Sequence, residues 1–430
     1  MSHDTDDSIR LPTAGHDDPC GVPDALTDVL REGARRLLAQ AIEAEVQEYV
    51  GVHADRRDAR TGRRLVVRNG HMPARVIQTP LGQIRVRQPR VDDRRLAESD
   101  DPAAPPAARF ASDILPKYLR RTKAIDRLIP WLYLKGVSSS DFGEALCALL
   151  GHEPKNLSPN VVVRLKEVWR EEWDQWSLRS LEGRRYVYLW ADGVYFNVRL
   201  EDTGSRQCIL VIVGATAAGK KELVAVADGY RECEQSWLDV LRDLKRRGLE
   251  CTPGLCVGDG ALGFWKALRQ VFPESREQRC WVHKTANVLS KLPKARHPAA
   301  KRALKEVWTA ATRKEADQAF EAFLSDYRTK YPKAAECLEK DRDELLCFYD
   351  FPARHWKHLR TTNPIESAFA TVRLRTDKTK GCGTRQACLS MVFKLMQAAQ
   401  RHWRPLDGKD HLEDVIAGVK FADGVRQAAA

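Results

Sequence analysis

The sequence predicts an α/β domain that follows a mostly helical N-terminal region and is interrupted by a second helical segment. Three runs with strand character follow one another from about residue 184, where the apolar spacing stops being helical. An amphipathic helix and a short buried strand come next, an order typical of a crossover between parallel strands. This is the order of a ribonuclease H-like core, which we assign to residues 183–294 and 356–410. An α-helical insertion at 295–355 separates the two parts, and residues 411–430 are predicted as a C-terminal tail.

The composition indicates a basic protein with a polyanionic partner. The 430 residues carry 71 Lys and Arg against 59 Asp and Glu, which gives a net charge of +12 and a pI of about 9.2. Nucleic acid is the commonest polyanion bound by such chains, but an ordinary basic enzyme has the same composition. Charge alone therefore leaves both classes open.

Neither a membrane span nor a secretory signal is predicted. The longest apolar run, CILVIVGATAAG, is shorter than the ~20 residues of a membrane helix. The N-terminus is acidic and polar, unlike a secretory signal. Eleven cysteines without a CxxC motif indicate reduced thiols and not a disulfide framework. We therefore expect a cytoplasmic protein that works without a membrane.

The N-terminal region is predicted to contain one helix, a hairpin and a linker between residues 24 and 110. Residues 1–23 are acidic and rich in turn formers, and we expect a disordered tail. Apolar residues recur three or four apart from 24 to 50, as on one face of a helix. The Arg-rich segment HADRRDARTGRRLVVRNG is predicted as a loop. The Pro/Ala/Asp-rich segment 92–110 indicates a linker.

The predicted hairpin lies in ARVIQTPLGQIRVRQPR. Two short strands flank a Pro-Leu-Gly turn. In the second strand Ile84 and Val86 alternate with Arg85 and Arg87, so one face is apolar and the other basic. The basic face is a candidate for DNA contact.

Residues 111–182 are predicted to form a helical domain. Three helical segments, KAIDRLIPWLYLKG, SSSDFGEALCALLG and SPNVVVRLKEVWREEWDQW, are separated by Gly-containing turns. Short helices in this order resemble a helix-turn-helix, and Arg164 and Lys166 of the third suit a face against DNA. Helical triplets also occur as plain packing domains, and that alternative stays open.

Two aspartates are predicted to meet at one end of the sheet. Asp192 closes the first strand, with a turn or bend at Asp192-Gly193, and Asp259 closes the fourth. A right-handed crossover sets the fourth strand parallel to and beside the first. Two carboxylates at such a short distance repel each other unless a divalent cation neutralises them. Hard oxygen ligands suit Mg²⁺ or Mn²⁺. Glu366 on the final helix is the candidate for a third ligand.

Each of these residues has a purely structural alternative. Asp-Gly is a frequent turn dipeptide and occurs five times here, so any single copy indicates a turn. Asp228, which ends the third strand, is the main rival for a catalytic position. In NPIE, Glu366 is the third residue of a helix capped by Asn363, where it could complete a capping box. Cys280 and His283 lack a second pair at zinc spacing and, taken alone, indicate core packing with a histidine hydrogen bond.

Six blocks of the sequence carry a family resemblance. The two aspartates lie in YLWADGVYFNVRL and CVGDGALGFWKAL, and the Cys-x-x-His pair lies in QRCWVHKTANVLSKLPK. The glutamate lies in DFPARHWKHLRTTNPIESAFATVRLRTDKTKG. Two N-terminal segments, RNGHMPARVIQTPLGQIRVRQPR and LYLKGVSSSDF, belong to the same set. In order, and over about residues 30 to 407, these blocks resemble the Mutator-like family of bacterial insertion-sequence DDE transposases.

The resemblance implies a metal-binding catalytic triad of Asp192, Asp259 and Glu366. Two Mg²⁺ (or Mn²⁺) ions per active site would support cleavage at the element ends and attack of the freed 3′-OH on target DNA. Cys280 and His283 would form an accessory pair near the active site. The implied partners are double-stranded DNA, both the terminal inverted repeats and the target, and further copies of the chain in a homodimer or higher oligomer. No nucleotide cofactor is implied.

Basic residues around Glu366 are expected to hold DNA phosphates. Taken singly, each could equally be a solvated surface charge. Asp377 interrupts the basic tract and should weaken, but not abolish, contact with DNA. With the hairpin and the helical domain included, the predicted DNA contacts are Arg354, Lys357, Arg360, Arg373, Arg375, Lys378, Lys380, Arg164, Lys166, Arg85 and Arg87.

Two other functions remain open at this point. A ribonuclease H-type nuclease without strand transfer would use the same triad, which therefore cannot separate the two. A non-catalytic DNA-binding regulator descended from a transposase is the second alternative, and an intact triad argues against it.

Overall fold

The computed structural model describes most of the chain, in two compact units that span residues 1–163 and 164–430. The boundary between the units falls inside the helix Pro159–Ser177. The described residues are 25–95, 110–137, 145, 147, 159–198, 206–229, 231–260, 262–378 and 382–427.

The first unit packs one long helix against two pairs of antiparallel strands. Its elements are α1 (Ala25–Val52), β1 (Val66–His71), β2 (Arg75–Thr79), β3 (Gly82–Val86), β4 (Pro89–Asp93) and α2 (Lys123–Leu134). β1 pairs with β4, and β2 pairs with β3. Ile42 of α1 packs with Ile77, Ile84 and Val86 of the strands, and burial of these side chains holds the helix on the hairpin.

The predicted hairpin is confirmed, including the two faces of its second strand. β2 and β3 are joined by a two-residue turn, Pro80-Leu81. Ile84 and Val86 are 5 % and 3 % exposed. The arginines between and after them, Arg85 and Arg87, are exposed.

One N-terminal prediction is wrong. The Arg-rich segment predicted as a loop contains β1, which pairs with β4 from Val66–Asp93 to His71–Pro89 across a bulge. Three residues of β1 that face solvent are Arg68, Asn69 and Gly70, so its apolar pattern is weak. The strand is stabilised by a ladder with a distant segment, which local pattern does not reveal.

Several N-terminal predictions lie outside the described residues. These are the tail 1–23, nearly all of the linker 92–110, and the middle helix of the predicted triplet. The outer two helices of the triplet are present, as α2 and as α3 (Pro159–Ser177).

The second unit is built on a five-stranded mixed sheet. The strands are β5 (Tyr186–Phe196), β6 (Gln207–Thr216), β7 (Lys221–Gly229), β8 (Leu255–Gly258) and β9 (Arg276–Arg279). Their order in the sheet is β7-β6-β5-β8-β9. The first three form an antiparallel meander, whereas β8 runs parallel to β5 and β9 parallel to β8. The predicted parallel pairing of the first and fourth strands of this block is therefore confirmed.

Both faces of β5 are covered, which explains its continuous apolar run. Leu189 and Ala191 belong to a core shared with α4 (Glu234–Arg246), the crossover helix, and α5 (Leu262–Val271). Tyr188 points to the opposite face, where its ring contacts Phe351 and His355 edge-on.

The predicted helices after the sheet are present. Four of them lie within residues 295–355, where the helical insertion is predicted. The helices are α6 (Trp281–Leu289), α7 (His297–Thr309), α8 (Arg313–Arg328), α9 (Pro332–Glu339), α10 (Arg342–Leu346), α11 (Trp356–Leu359), α12 (Asn363–Lys378), α13 (Arg385–Gln400) and α14 (Leu412–Ile416).

The segment predicted as a C-terminal tail contains α14 and a short hairpin of β10 (Phe421–Ala422) and β11 (Val425–Arg426). The turn of this hairpin is Asp423-Gly424, both with positive φ. The Asp423 carboxylate accepts a hydrogen bond from the N–H of Arg313 at the start of α8 (2.6 Å). The hairpin is thereby attached to the helical segment.

Nine cysteines in the described part of the chain carry free thiols, as predicted. The prediction is wrong at Cys147, which is disulfide-bonded. Among the described residues, no helix combines the length and the apolar character that a membrane crossing requires.

Candidate metal and DNA site

Asp192 and Asp259 lie side by side at the end of the parallel β5–β8 pair. The pairing register runs from Tyr188–Leu255 to Ala191–Gly258. Asp192 follows Ala191, and Asp259 follows Gly258, so the two aspartates come directly after the last pair. Asp192 is 5 % exposed, and Asp259 is half-buried. The structure thus brings together the two carboxylates that the sequence predicts to be neighbours.

The predicted bend at Asp192-Gly193 is wrong. β5 continues through this dipeptide to Phe196, and both residues stay paired with β6, opposite Val211 and Leu210. A turn is not formed because the long β5–β6 ladder extends past the end of β8. Asp192 therefore lies inside a paired strand, which holds its backbone rigidly, and not in a loop.

Glu366 reaches the same region from α12. Its carboxylate oxygen Oε1 accepts a hydrogen bond from the hydroxyl of Thr362 (2.8 Å) and lies 3.5 Å from Nδ1 of His283. The backbone N–H of Asn363 donates instead to the Oγ1 of Thr361 (3.3 Å). The capping box that the sequence allowed is therefore not formed, and the carboxylate is directed at His283.

Cys280 and His283 stand at the start of α6, beside Glu366. Cys280 is completely buried, and its N–H donates to the carbonyl of Gly258 (2.8 Å), the residue before Asp259. His283 is half-buried, and its buried Nδ1 has no hydrogen-bond partner among the residues that the structure describes. One potential ligand atom from each of Cys280, His283 and Glu366 lies within 4.8 Å of the others. The pair is thus part of the carboxylate cluster and not only of the core.

Glu232, which the sequence analysis missed, is a fourth carboxylate at this site. It lies in the turn before α4, and its N–H donates to the Tyr195 hydroxyl (3.2 Å). Its side chain covers Gly193 so closely that a Cβ on that residue would be 2.6 Å from Glu232 Cγ. No sequence signal marks this glutamate, because it follows a strand end without any motif. Its contact with Gly193 in the folded protein reveals it.

The cluster is electrostatically strained. Burial raises the pKa of Asp192 to about 7, and the charge of Asp259 adds to this shift while His283 opposes it. Burial likewise raises the pKa of Glu232 to about 8, with Asp259 and Asp192 adding. The neighbouring Cys280 sulfur raises the pKa of His283 to about 9, and Asp192 and Glu366 contribute. Near pH 7, protons therefore neutralise part of the negative charge of the site.

The donor set fits a divalent cation. The charges of Asp259 and Glu366 act on Asp192, those of Asp259 and Asp192 act on Glu232, and the pKa values of Asp192 and Glu232 are raised. A hard divalent ion such as Mg²⁺ takes carboxylate oxygens and would remove the repulsion. Within the described part of the chain, the buried Nδ1 of His283 is a further atom without a hydrogen-bond partner.

Asp228 does not join the cluster. Its carboxylate forms two hydrogen bonds with the guanidinium of Arg385, at 3.0 and 2.6 Å. Asp407 pairs with Lys357, and Asp423 forms the hairpin turn described above. Of the five Asp-Gly dipeptides, only those at Asp192 and Asp259 direct carboxylates into the site.

Among the predicted DNA contacts whose side chains the structure describes, five arginines are exposed. They are Arg354, Arg373, Arg164, Arg85 and Arg87. Lys357 is exposed and paired with Asp407. Lys166 is half-buried.

Two predicted contacts are less accessible. Arg360 lies over the rings of Phe348 and Trp356, at 4.7 and 5.4 Å. Arg375 is only 3 % exposed, because it lies on the inner face of α12. Its side chain is therefore not available for a phosphate contact at the surface. The side chain of Lys378 and the whole of Lys380 lie outside the described residues.

Comparison with known proteins identifies the family. The family model for the Mutator family of transposases matches residues 17–405. The transposase for insertion sequence element IST2 of Acidithiobacillus ferrooxidans is 53 % identical over 289 residues, which cover 66 % of this chain and 95 % of that protein. The transposase for IS6120 of Mycolicibacterium smegmatis is 50 % identical over 300 residues, 70 % of this chain and 92 % of that protein.

A more distant relative extends the match to almost the whole chain. The transposase for ISRM5 of Rhizobium meliloti is 28 % identical over 402 residues, which cover 94 % of this chain and 95 % of that protein. The family match includes all the residues of the carboxylate cluster. The chain belongs to the Mutator family of transposases.

Proposed function

We propose that this protein is the transposase of an insertion sequence, and that it cleaves DNA at the element ends and joins the 3′-OH to target DNA. One observation carries the proposal: Asp192 and Asp259 adjoin on parallel strands, and Glu366 is directed at the same cluster through His283. The family membership supports transposition as the reaction. The strand order β7-β6-β5-β8-β9 supports a ribonuclease H-like core.

Asp192, Asp259 and Glu366 would hold two Mg²⁺ or Mn²⁺ ions. When bound, such ions activate the attacking oxygen and stabilise the leaving oxygen of phosphoryl transfer. The protein holds these ligands in position. Strands β5 and β8 fix the positions of the two aspartates, and the Thr362 hydroxyl orients Glu366. His283 adds positive charge beside Glu366, which offsets the excess of carboxylates.

The exposed arginines would bind DNA. Arg354 and Arg373 lie before and on the Glu366 helix, where they suit the backbone of the DNA that is cut. In the first unit, Arg85 and Arg87 form a basic strand face that suits the terminal inverted repeats. Since two ends must be held together, the active form would be a homodimer or a higher oligomer.

The test is a cleavage and joining assay with purified full-length protein and linear DNA that carries the two element ends. Asp192→Asn, Asp259→Asn and Glu366→Gln should each reduce cleavage to background in Mg²⁺. Binding of the ends in a mobility-shift assay should change little, because the DNA contacts are other residues. Higher salt should weaken binding steeply in every variant.

Asp228→Asn is the matched control, because Asp228 also precedes a glycine at a strand end but pairs with Arg385. It should retain cleavage. Full activity in any of the three triad variants would refute the metal-site assignment. Cleavage without joining of paired ends would instead favour a nuclease that lacks strand transfer.

A further inference from the structure

We propose that Cys280, His283 and Glu366 form a binding site for a zinc-like transition-metal ion. This ligand set shares Glu366 with the proposed magnesium site but differs from it in chemistry. One ligand atom of each residue lies within 4.8 Å of the other two, so a small movement brings all three onto one ion.

The surroundings of the Cys280 sulfur suit a metal ligand. Cys280 is completely buried, and its Sγ accepts a hydrogen bond from the N–H of Thr362 (3.4 Å). The Thr362 hydroxyl oxygen lies 3.5 Å from the same sulfur and donates its proton to Glu366. It also stands at the N-terminus of α6, where negative charge is favoured. Donors of this kind orient and support a metal-bound sulfur.

The other two ligands are oriented toward the same point. Among the described residues, no group meets the buried His283 Nδ1 with hydrogen-bond geometry, which is rare for a buried polar atom. Once it has released its proton, this nitrogen can bind a metal. Glu366 Oε1 lies 3.5 Å from that nitrogen and is held by the Thr362 hydroxyl. One threonine therefore supports two of the three ligands.

The frame around the site is rigid. The N–H of Cys280 donates to Gly258 at the end of β8, and the N–H of Trp281 donates to the carbonyl of Arg360 (2.9 Å) just before α12. The start of α6, which carries Cys280 and His283, is thus hydrogen-bonded both to the end of β8 and to the segment before α12. Such a frame does not need metal to form, unlike a small zinc finger.

The chemistry of the donors selects the ion. A sulfur, an imidazole nitrogen and a carboxylate oxygen suit Zn²⁺ or Co²⁺, whereas Mg²⁺ prefers oxygen ligands alone. Three protein ligands leave a fourth tetrahedral position for water. If the proposed function is correct, an ion at this site withdraws Glu366 from the magnesium site, and Zn²⁺ acts as an inhibitor.

Cobalt is the direct probe, because a sulfur–Co²⁺ bond produces a charge-transfer absorption that an oxygen-only site lacks. Metal-free full-length protein should gain this band on addition of one equivalent of Co²⁺ and lose it when Zn²⁺ is added. Excess Mg²⁺ should not remove it. Cys280→Ser should abolish the band, and the matched control Cys251→Ser, at a half-exposed cysteine elsewhere, should keep it.

His283→Gln is the second variant in case serine at position 280 prevents folding. It should weaken Zn²⁺ binding by more than the about 10- to 100-fold that loss of an outer-shell partner causes. A band that persists in Cys280→Ser, or Zn²⁺ affinity unchanged in His283→Gln, would overturn the proposal.

The cobalt assay also separates this proposal from the proposed function. Asp192→Asn should keep the charge-transfer band, since Asp192 is outside the sulfur-containing set, although it should lose Mg²⁺-dependent cleavage. If that variant still cleaves DNA while Cys280→Ser loses the band, the transposase triad is wrong and the transition-metal site stands.

Discussion

Asp192 and Asp259 occupy matching positions on two neighbouring parallel strands, each one residue beyond the last pair, Ala191 with Gly258. The backbone ladder thus determines how near the two carboxylates are, without help from flexible side chains. A further carboxylate, that of Glu232, covers the glycine that follows Asp192. The consequences of this crowding can be measured without any DNA substrate.

Stability should depend on pH in the metal-free protein. The pKa values of Asp192 and Glu232 are raised to about 7 and about 8, so the folded chain binds more protons than the unfolded chain above roughly pH 4. Unfolding free energy therefore falls as the pH rises through these values. His283 acts in the same direction, because the stability from its raised pKa is lost as the pH approaches 9. The melting temperature should drop by several degrees from pH 6 to pH 9.

Divalent ions should reverse this loss. Mg²⁺ or Ca²⁺ binds the ionised carboxylates, so the rise in melting temperature that it causes should be larger at pH 9 than at pH 6. Calorimetry with and without metal measures both slopes. An equal metal effect at both pH values would show that the carboxylates do not form the ion site.

Glu232→Gln should stabilise the metal-free protein at pH 9. The substitution removes one of the crowded negative charges, with an expected gain of about 1 kcal/mol in unfolding free energy. At pH 6 the gain should be smaller, because the cost of the raised pKa of Glu232 builds up as the pH rises from about 4 to about 8. Urea denaturation at the two pH values tests this. The control is Glu234→Gln, two residues along, whose carboxylate pairs with Lys266 (3.7 Å) and should show no such pH-dependent gain.

Gly193→Ala should cost about 1–3 kcal/mol of unfolding free energy, as overpacking does. The added Cβ would lie 2.6 Å from Glu232 Cγ, and the backbone itself offers no obstacle, because φ at Gly193 is not positive. The cost should therefore shrink in a Glu232→Ala background, with a coupling of roughly 0.5–3 kcal/mol in a double-mutant cycle. Gly33→Ala, where nothing lies within 4 Å of the new Cβ, should not destabilise. Additive effects at Gly193 and Glu232 would contradict the contact.

Asp341→Ala should destabilise the second unit by about 3–5 kcal/mol, because it leaves buried cations without their partner. The Asp341 carboxylate pairs with Lys284, which is 2 % exposed, and with Arg279 (2.9 Å). The Arg279 guanidinium carbon would be 2.7 Å from a Cβ at Gly260, beside Asp259, so the same change should weaken Mg²⁺ binding. Asp343→Ala, at a 91 % exposed side chain, is the control and should cost little. Denaturant unfolding and calorimetric titration measure the two effects.

Local patterns predicted what depends on nearby residues. The alternation of Ile84 and Val86 with arginines marks a two-faced strand, and the hairpin has those faces. The order of strands and the crossover helix led to the parallel β5–β8 pair, because handedness restricts such connections. Asp192 and Asp259 followed from that pair.

Other features required contacts between distant segments. β1 was missed because its partner is β4, and the bend at Gly193 was wrongly expected because the β6 ladder holds the strand straight. Turn propensity is a local preference of a few tenths to about 1 kcal/mol, which a buried ladder easily exceeds.

The family blocks, the order of elements and the pair of aspartates could be predicted without coordinates, since each depends on residues close in the chain or on the chirality of one connection. Three other features depend on the packing of distant segments: Glu366 faces His283 and not its own helix cap, Asp228 pairs with Arg385, and Glu232 lies beside the glycine that follows Asp192. A buried carboxylate needs a hydrogen-bond or charge partner, and the packing of segments far apart in the chain determines which partner lies near it.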